Sequence, residues 1–316
     1  MNRIRAFALA ALMFMLAGSS RAVVVAGGTG GEQTSDPGGG FPFTNVGSVK
    51  GASGVYLGDF AGKYWVLTAS HVVGSGASLG NITLGGTSYS FVPGSGVVIR
   101  NSDKSTTDLT LFQIATDPGL PNLTLASVAP ATGTTVWLVG YGLRETGSER
   151  FWNVTGSGSE TAWNSLPNAT GANAAGYAIA NGGTERYGGS VLVDPSTLSL
   201  ASNYDIGTGQ TRALMTEFQP TIGYAQAASG DSGGALFYDT SGGWELAGIL
   251  GAVTTFTNQP SNTSVFGQTT YAGDVGFYSA TILTAIPEPA VTQILLALAG
   301  GGLVSVRRIR RRRRAG

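Results

Sequence analysis

Between residues 23 and 285 the chain is a succession of short apolar runs separated by Gly, Ser, Thr and Asn. β-Branched and aromatic residues, which favour strands, are concentrated in runs such as 64–68, 109–114, 136–139, 235–238 and 246–250. Helical periodicity is hard to find in this stretch, and no repeat of fixed length is visible. The pattern predicts an all-β sandwich or set of barrels.

Composition excludes several classes of protein. Hydrophobic residues make up 42% of the chain and charged residues 11%, so there is enough apolar material for a core. The 50 glycines show no three-residue period, which excludes collagen. Because there is no Cys and only one His, disulfide scaffolds, zinc fingers, thiol catalysis and multi-histidine metal sites are excluded as well. No cofactor and no metal site is predicted.

The formal net charge of zero hides an uneven distribution. Ten of the 15 arginines lie within the first 22 or the last ten residues. The stretch 23–286 holds three Lys and five Arg against 17 Asp and Glu. Such an acidic body does not favour nucleic acid or an anionic membrane as a partner.

Residues 1–22 have the three parts of a secretory signal peptide. Arg3 and Arg5 form a positive start, and residues 6–16 form an apolar run. Ser20 and Ala22 then supply small residues at the −3 and −1 positions of a cleavage site. The sequence therefore predicts export and cleavage by signal peptidase after Ala22.

The C-terminal segment 286–316 also has three parts: Pro287-Glu288-Pro289, an uncharged apolar run at 290–306, and an Arg cluster from Arg307 to Arg314. The apolar run is at the short limit for a membrane-spanning helix, and the arginines would stay cytoplasmic. This end resembles the PEP-CTERM sorting signal of Gram-negative bacteria. The resemblance implies transient membrane anchoring, processing by an exosortase, and a final place at the cell surface or outside the cell.

Three segments of the body carry candidate chemistry. Segment 65–71 places the only His, His71, at the end of an apolar strand. Segment 107–112 begins an apolar run with Asp108, and segment 229–234 sets Ser232 in a Gly-rich turn before another strand. A serine hydroxyl is a poor nucleophile until a base takes its proton, and a His can do so when a carboxylate orients it. Glycines around the serine let backbone N–H groups face a developing oxyanion.

Chain order separates the possible hydrolase types. Residues 230–234 also fit the Gly-x-Ser-x-Gly nucleophile elbow, but α/β-hydrolases place the His after the Ser. Here His71 precedes Ser232 by 161 residues. A subtilisin order would need Asp36 or Asp59, and neither lies at a convincing strand end. The order His, Asp, Ser remains.

Residues 68–71, 108–111 and 230–234 resemble the three signature blocks of trypsin-like (chymotrypsin-fold) serine proteases. Residues 25–29 resemble the family's mature N-terminus, and 248–253 resemble its substrate-backbone strand. The resemblance spans about 25–283. It implies an all-β fold of two six-stranded antiparallel barrels, at about 25–145 and 146–285 within a domain 23–285. The boundary between the two barrels is expected near residues 143–163, whose sequence is typical of a loop.

The resemblance also implies a role for each matched residue. Ser232 is the nucleophile, His71 the general base, and Asp108 the residue that orients His71. The backbone N–H groups of Gly230 and Ser232 form the oxyanion hole. Asp231 would pair with a freed N-terminal ammonium, either at Val25 after further trimming or at Val23 itself.

The sequence departs from the family pattern at the substrate side. Gln226 stands at the expected floor of the primary specificity pocket, so a preference for Lys or Arg is not supported. Gly251 replaces the usual serine that supports the catalytic aspartate, so that support is expected to be missing. Val253 replaces a wall glycine and would narrow the pocket.

These observations predict a secreted serine endopeptidase that acts on protein or peptide substrates through an acyl-enzyme intermediate. The alternative is a non-catalytic surface or matrix-binding protein on the same fold. An esterase of another fold is disfavoured by the chain order.

Overall fold

The computed structural model describes residues 23–28, 33–74 and 79–286. The expected signal peptide and nearly all of the C-terminal sorting segment, including the apolar run 290–306, lie outside the described residues. No helix within the described ranges has both the length and the apolar character needed to cross a membrane. The described part is mostly β, as the sequence predicts.

The first half of the described chain forms one antiparallel sheet. A 3₁₀ turn at Phe43–Asn45 precedes it. A short N-terminal strand, β1 Val24–Val25, and a one-turn helix, α1 Ser70–Val73, lie outside the sheet. The strands of the sheet are β2 Val46–Val49, β3 Ala52–Phe60, β4 Lys63–Thr68, β5 Ile82–Leu84, β6 Thr87–Tyr89, β7 Val97–Arg100 and β8 Thr106–Ile114. The strand order is β6-β5-β2-β3-β4-β8-β7.

The remainder builds a second large sheet and a smaller one. The elements are β9 Thr124–Leu125, β10 Thr135–Gly140, β11 Arg144–Thr155, β12 Ala162–Leu166, β13 Ala174–Ala180, β14 Arg186–Val191, β15 Asn203–Tyr204, β16 Thr211–Glu217, β17 Ala225–Gln226, β18 Ala235–Thr240, β19 Gly243–Val253, β20 Thr263–Val265, β21 Thr269–Asp274 and the helix α2 Val275–Ala285, with 3₁₀ turns at Gly158–Glu160 and Pro195–Leu198. The larger sheet has the order β14-β10-β18-β19-β21-β16-β15, with β9 added parallel to β19.

One hydrophobic cluster joins the two large sheets. Successive side chains of a strand point to opposite faces, so Val55 and Leu57 of β3 face this cluster whereas Tyr56 faces a separate one behind the first sheet. Phe237 of β18 enters the shared cluster from the second sheet. The two large sheets therefore share one core, which fixes their positions relative to each other.

The strand pairing does not form the closed six-stranded barrels that the resemblance implies. Each large sheet is an open path, because β6 and β7 do not pair with each other, and neither do β14 and β15. Isolated bridges, Phe91 with Ile114 and Leu192 with Thr216, bring the edges of each sheet close without completing a ladder. The chain thus has a chymotrypsin-like pair of curled sheets rather than two complete six-stranded rings.

The expected loop at 143–163 is mostly strand. It contains β11 and the start of β12, which join β13 and β20 in a four-stranded sheet of order β12-β11-β13-β20. Most β11 side chains are exposed or half-buried, so the segment lacks the apolar run that marks a core strand. The change between large sheets comes between Ile114 and Thr124, earlier than the predicted division.

Helix α2 was not apparent from periodicity. Asp274 accepts a hydrogen bond from the Phe277 N–H and caps its N-terminus. Val275, Tyr278 and Ile282 are spaced at three and four residues, and they pack into the cluster between the sheets. The helix therefore closes one end of the shared core.

Candidate active site

His71 and Asp108 are brought together by neighbouring strands of the first sheet. His71 lies on α1, directly after β4, and Asp108 lies near the start of β8; β4 and β8 pair with Thr68 opposite Thr110. The ring Nδ1 of His71 is 2.9 Å from Asp108 Oδ2. The backbone N–H of His71 also donates to Asp108 Oδ1, at 3.0 Å. The carboxylate therefore fixes both the position and the orientation of the imidazole.

Ser70 anchors the His71 helix to the strand that carries Asp108. Its hydroxyl donates to the Thr107 carbonyl at 3.1 Å and lies 2.7 Å from the Thr110 hydroxyl. A helix of one turn has little stability of its own. This pair of contacts therefore holds α1 against β8.

Asp108 is fully buried, and the second sheet supplies part of its environment. The hydroxyl of Tyr204 donates to Asp108 Oδ2 at 3.1 Å, and the Asp108 N–H donates to Thr211 Oγ1 at 2.8 Å. Burial raises the pKa of Tyr204 well above its usual value, so the hydroxyl stays protonated as a donor. The predicted loss of a polar support for Asp108 is thus wrong, because Tyr204 provides it.

Ser232 lies in a turn fastened to the first sheet. The Ser53 N–H donates to the Ser232 carbonyl at 2.8 Å, and the Ser53 hydroxyl donates to the Gly230 carbonyl at 2.9 Å. Gly233 has φ +84°, and a Cβ there would lie 2.1 Å from the Ser53 carbonyl oxygen. Only glycine tolerates both that conformation and that approach.

Three N–H groups of the turn 229–234 have no acceptor within the described residues: those of Ser229, Gly230 and Ser232. The N–H groups of Asp231, Gly233 and Gly234, by contrast, donate to carbonyls of Ala228, Leu250 and Asp231. An oxyanion hole requires unpaired donors of this kind. Gly230 and Ser232, which the family resemblance implies for the oxyanion hole, are two of these three residues.

Ser232 and His71 are not hydrogen-bonded to each other in the described part of the chain. Ser53 connects the two segments. Its carbonyl accepts a hydrogen bond from Thr68 Oγ1 at 2.7 Å, and Thr68 lies three residues before His71. Its N–H donates to the Ser232 carbonyl. Catalytic hydrogen bonds are often long before substrate binds.

Asp231 is fully buried behind the Ser232 turn and is surrounded by backbone donors. It accepts from the N–H groups of Ala228 and Gly142, each at 2.7 Å, and of Val23 at 3.2 Å. Burial raises the pKa of Asp231 to about 7, against the lowering effect of these donors. An uncompensated carboxylate here is costly, so the site favours a cation.

The segment that starts at Val23 pairs with β17 in a two-stranded sheet and contacts a buried ion pair. β1 pairs antiparallel with β17, placing Val24 opposite Gln226. Arg186 and Glu145 are both fully buried and joined at 2.8 Å. Arg186 donates to the Val23 carbonyl at 3.0 Å, and Glu145 Oε2 accepts from the Val25 N–H at 3.0 Å. This contact set fixes the register of the segment.

That register distinguishes the nitrogens of the two residues expected as N-termini, Val23 and Val25. The nitrogen beside Asp231 belongs to Val23, whereas that of Val25 faces Glu145. The segment 25–29 that resembles the family's mature start is therefore displaced by two residues from the position at Asp231.

The predicted substrate-side residues lie around the Ser232 turn. Gln226 is 1% exposed, and within the described residues neither of its amide atoms has a hydrogen-bond partner. Val253 is 38% exposed and pairs with Thr270 across β19 and β21. The Thr270 hydroxyl accepts from the Ala227 N–H at 3.1 Å, next to Gln226. Thr270 thus links β21 to the segment that carries Gln226, a contact that the sequence did not indicate.

Gly251 lies on β19, where a Cβ would come within 2.1 Å of the Tyr204 hydroxyl oxygen. The missing side chain at this position was apparent from the sequence, but the residue that fills its space was not. Tyr204, Thr211 and the pair of Arg186 with Glu145 were also missed, because each is distant in sequence from the group it serves. Among the described residues no cluster of three or more His, Cys, Asp or Glu side chains is arranged for a metal ion.

The profile of the trypsin-like peptidase domain family matches residues 52–249 of the chain. Among solved structures, the inactive form of the Rv3671c protease is similar at 15% identity with a TM-score of 0.45, over 78% of this chain and 90% of that one. A serine-to-alanine variant of Rv3671c from M. tuberculosis H37Rv, also an inactive form, is similar at 15% identity with a TM-score of 0.44, over 84% and 99% of the two chains. No curated protein matches the sequence.

Proposed function

Since this chain belongs to the family of trypsin-like peptidase domains, we propose that it is a serine endopeptidase that cleaves peptide bonds through an acyl-enzyme formed on Ser232. The observation that carries the proposal is the contact of His71 Nδ1 with buried Asp108 at 2.9 Å. A carboxylate on Nδ1 leaves Nε2 unprotonated and able to accept a proton.

The reaction follows from these positions. Ser232 Oγ attacks the substrate carbonyl while His71 Nε2 takes its proton, and Asp108 stabilises the imidazolium that results. The carbonyl oxygen becomes an oxyanion facing the N–H groups of Gly230 and Ser232. His71 then gives its proton to the leaving amine, the C–N bond breaks, and the acyl group stays on Ser232. A water molecule, deprotonated by His71, attacks the ester and releases the acid and the serine hydroxyl.

A fluorophosphonate reagent tests this proposal. It phosphonylates an activated serine, so the intact protein should gain one adduct, located at Ser232 by peptide mass spectrometry. Ser232→Ala should abolish the adduct, while Ser229→Ala, an exposed serine of the same turn, should not. A folded protein that gains no adduct would instead support the non-catalytic binding protein on the same fold.

The primary specificity pocket is proposed to take small or medium uncharged P1 residues. Its predicted lining of Gln226, Gly251 and Val253 holds no carboxylate to offset the desolvation of a Lys or Arg substrate. A peptide library should therefore show uncharged P1 residues preferred by roughly tenfold or more. A preference for Lys or Arg would contradict this lining.

Maturation is proposed to need a single cleavage. Signal peptidase acting after Ala22 would free the Val23 nitrogen, which lies 3.2 Å from Asp231 Oδ1. The ammonium so formed would supply the cation that this buried carboxylate lacks. Export and activation would then be the same event, with no separate zymogen step.

Export and surface sorting remain proposals from the two chain ends. They are supported by the signal-like residues 1–22 and by the PEP-CTERM-like residues 286–316, with an exosortase as the processing partner. Cell fractionation of a native host tests them. Recovery of the full chain from the cytoplasm would contradict both.

A further inference from the structure

We propose that Tyr204 is a positioning residue for Asp108, and that Gly251 is glycine because the Tyr204 hydroxyl occupies the place of its side chain. The inference rests on the proposed function, in which Asp108 orients the general base.

The hairpin of β15 and β16 holds Asp108 at two points. The Tyr204 hydroxyl donates to Oδ2 at 3.1 Å, and Thr211, paired opposite Tyr204, accepts from the Asp108 N–H at 2.8 Å. The Tyr204 ring packs against Tyr271 with centroids 5.9 Å apart, which fixes the direction of the hydroxyl. An element of the second sheet thus sets the position of a carboxylate on the first.

Position 251 and the Tyr204 hydroxyl exclude each other. A Cβ on Gly251 would lie 2.1 Å from the hydroxyl oxygen and 2.5 Å from the ring carbon Cζ. A serine at 251, the arrangement implied by the family resemblance, would reach the same space from β19. The two solutions deliver one hydroxyl to Asp108 Oδ2 from different strands.

The Tyr204 hydroxyl matters because Asp108 is fully buried and carries a charge in the proposed mechanism. Besides the Tyr204 hydroxyl, its carboxylate accepts hydrogen bonds, among the described residues, only from the backbone N–H and the ring Nδ1 of His71. Removing a hydrogen bond to a buried charge leaves the charge under-solvated and free to rotate away from its partner. Tyr204 thereby holds Oδ2 in line with Nδ1.

The first test is Tyr204→Phe, which keeps the ring and removes the donor. We expect kcat to fall roughly 10- to 100-fold with little change in KM, since substrate does not touch this residue. Tyr271→Phe is the matched control, because it makes the same change in the same aromatic cluster without contacting Asp108. An unchanged kcat in Tyr204→Phe would overturn the assignment.

The second test exchanges the two solutions. Gly251→Ser alone should lower kcat, because its side chain displaces the Tyr204 hydroxyl. In the Tyr204→Ala background the same Gly251→Ser change should raise kcat, because its hydroxyl now fills the vacated space. Gly251→Ala in that background should give no rescue. Equal effects of Gly251→Ser in both backgrounds would contradict the inference.

A spectroscopic readout separates this inference from the proposed function. The chain has one His, so a protein carrying no histidine tag gives a single imidazole Hδ1 resonance. Removing the Tyr204 donor makes Asp108 a stronger acceptor, and the resonance should move downfield in Tyr204→Phe. An unmoved resonance would overturn the role of Tyr204, whereas failure of Ser232 to react with fluorophosphonate in the unmodified chain would overturn the peptidase proposal alone.

Discussion

Asp108 and Asp231 are both fully buried, and both stand beside a proposed catalytic residue, yet their surroundings differ in kind. Asp108 accepts from side chains, the His71 ring and the Tyr204 hydroxyl, in addition to one backbone N–H. Among the described residues, Asp231 accepts only from backbone N–H groups, those of Val23, Gly142 and Ala228. The first carboxylate has a partner that can become a cation, whereas the described residues place no such partner within hydrogen-bond distance of the second.

The difference agrees with the roles proposed for the two aspartates. In the proposed mechanism, Asp108 has its partners in the folded chain and needs only the proton that His71 gains during the reaction. Asp231 is incomplete, and burial raises its pKa to about 7. Neutral N–H groups cannot offset the desolvation of a carboxylate as fully as an ammonium does. A cleavage that turns the Val23 amide into an amine would complete it.

The largest effect should come from Asp108→Asn. The amide would present a donor to His71 Nδ1 and hold the wrong tautomer, so Nε2 could not accept the Ser232 proton. We expect kcat to fall on the order of 10⁴-fold, measured with a peptide amide substrate.

The matched control is Asp239→Asn, an exposed aspartate in β18, which should leave kcat unchanged. The circular dichroism spectrum of Asp108→Asn should match that of the unmodified protein. Retention of a tenth or more of the activity by a folded Asp108→Asn variant would remove Asp108 from the mechanism.

A smaller effect should appear in the pH dependence of stability of a chain that retains Ala22. Between an unfolded pKa of about 3.9 and the folded value of about 7, the folded chain holds a proton on Asp231 that the unfolded chain has lost. The free energy of unfolding should therefore fall as pH rises through this range and level off above it, by roughly 4 kcal/mol from this group.

Urea unfolding at a series of pH values measures this dependence. Glu185, whose pKa burial raises to about 9, acts in the same direction, so Asp231→Asn in the same chain isolates the Asp231 part. A chain starting at Val23 should lose that part as well, because its ammonium stabilises the charged form of Asp231 for as long as the ammonium itself stays protonated, up to about pH 8. Identical pH curves for the two starts would contradict the pairing.

The first of the two aspartate sites was largely predictable from sequence. His71 and Asp108 follow or begin apolar strands, and such strand-end positions converge when the strands pair. The all-β class was predictable for the same reason, because β-branched runs recur along the chain. Strand β11 was not, since its side chains are mostly exposed and carry no apolar signal.

What could not be predicted depends on contacts between distant residues. Tyr204 lies 96 residues from Asp108, and only the empty position at Gly251 hinted that another group was needed. The register at Val23 rests on the buried pair of Arg186 and Glu145, which local pattern does not reveal. Closure of the sheets depends on edge geometry, which hydrophobic alternation leaves open.

The most direct test compares two chains that differ by one residue, one starting at Val23 and one at Ala22, both continuing to residue 316. The rate of fluorophosphonate labelling at Ser232 is measured at pH 7.5 for each. The Val23 chain should label roughly 100-fold faster or more, because only its amine can pair with Asp231 and order the oxyanion hole. Equal rates would contradict the role of Asp231, and no labelling of either chain would contradict the proposal that the protein is a serine peptidase.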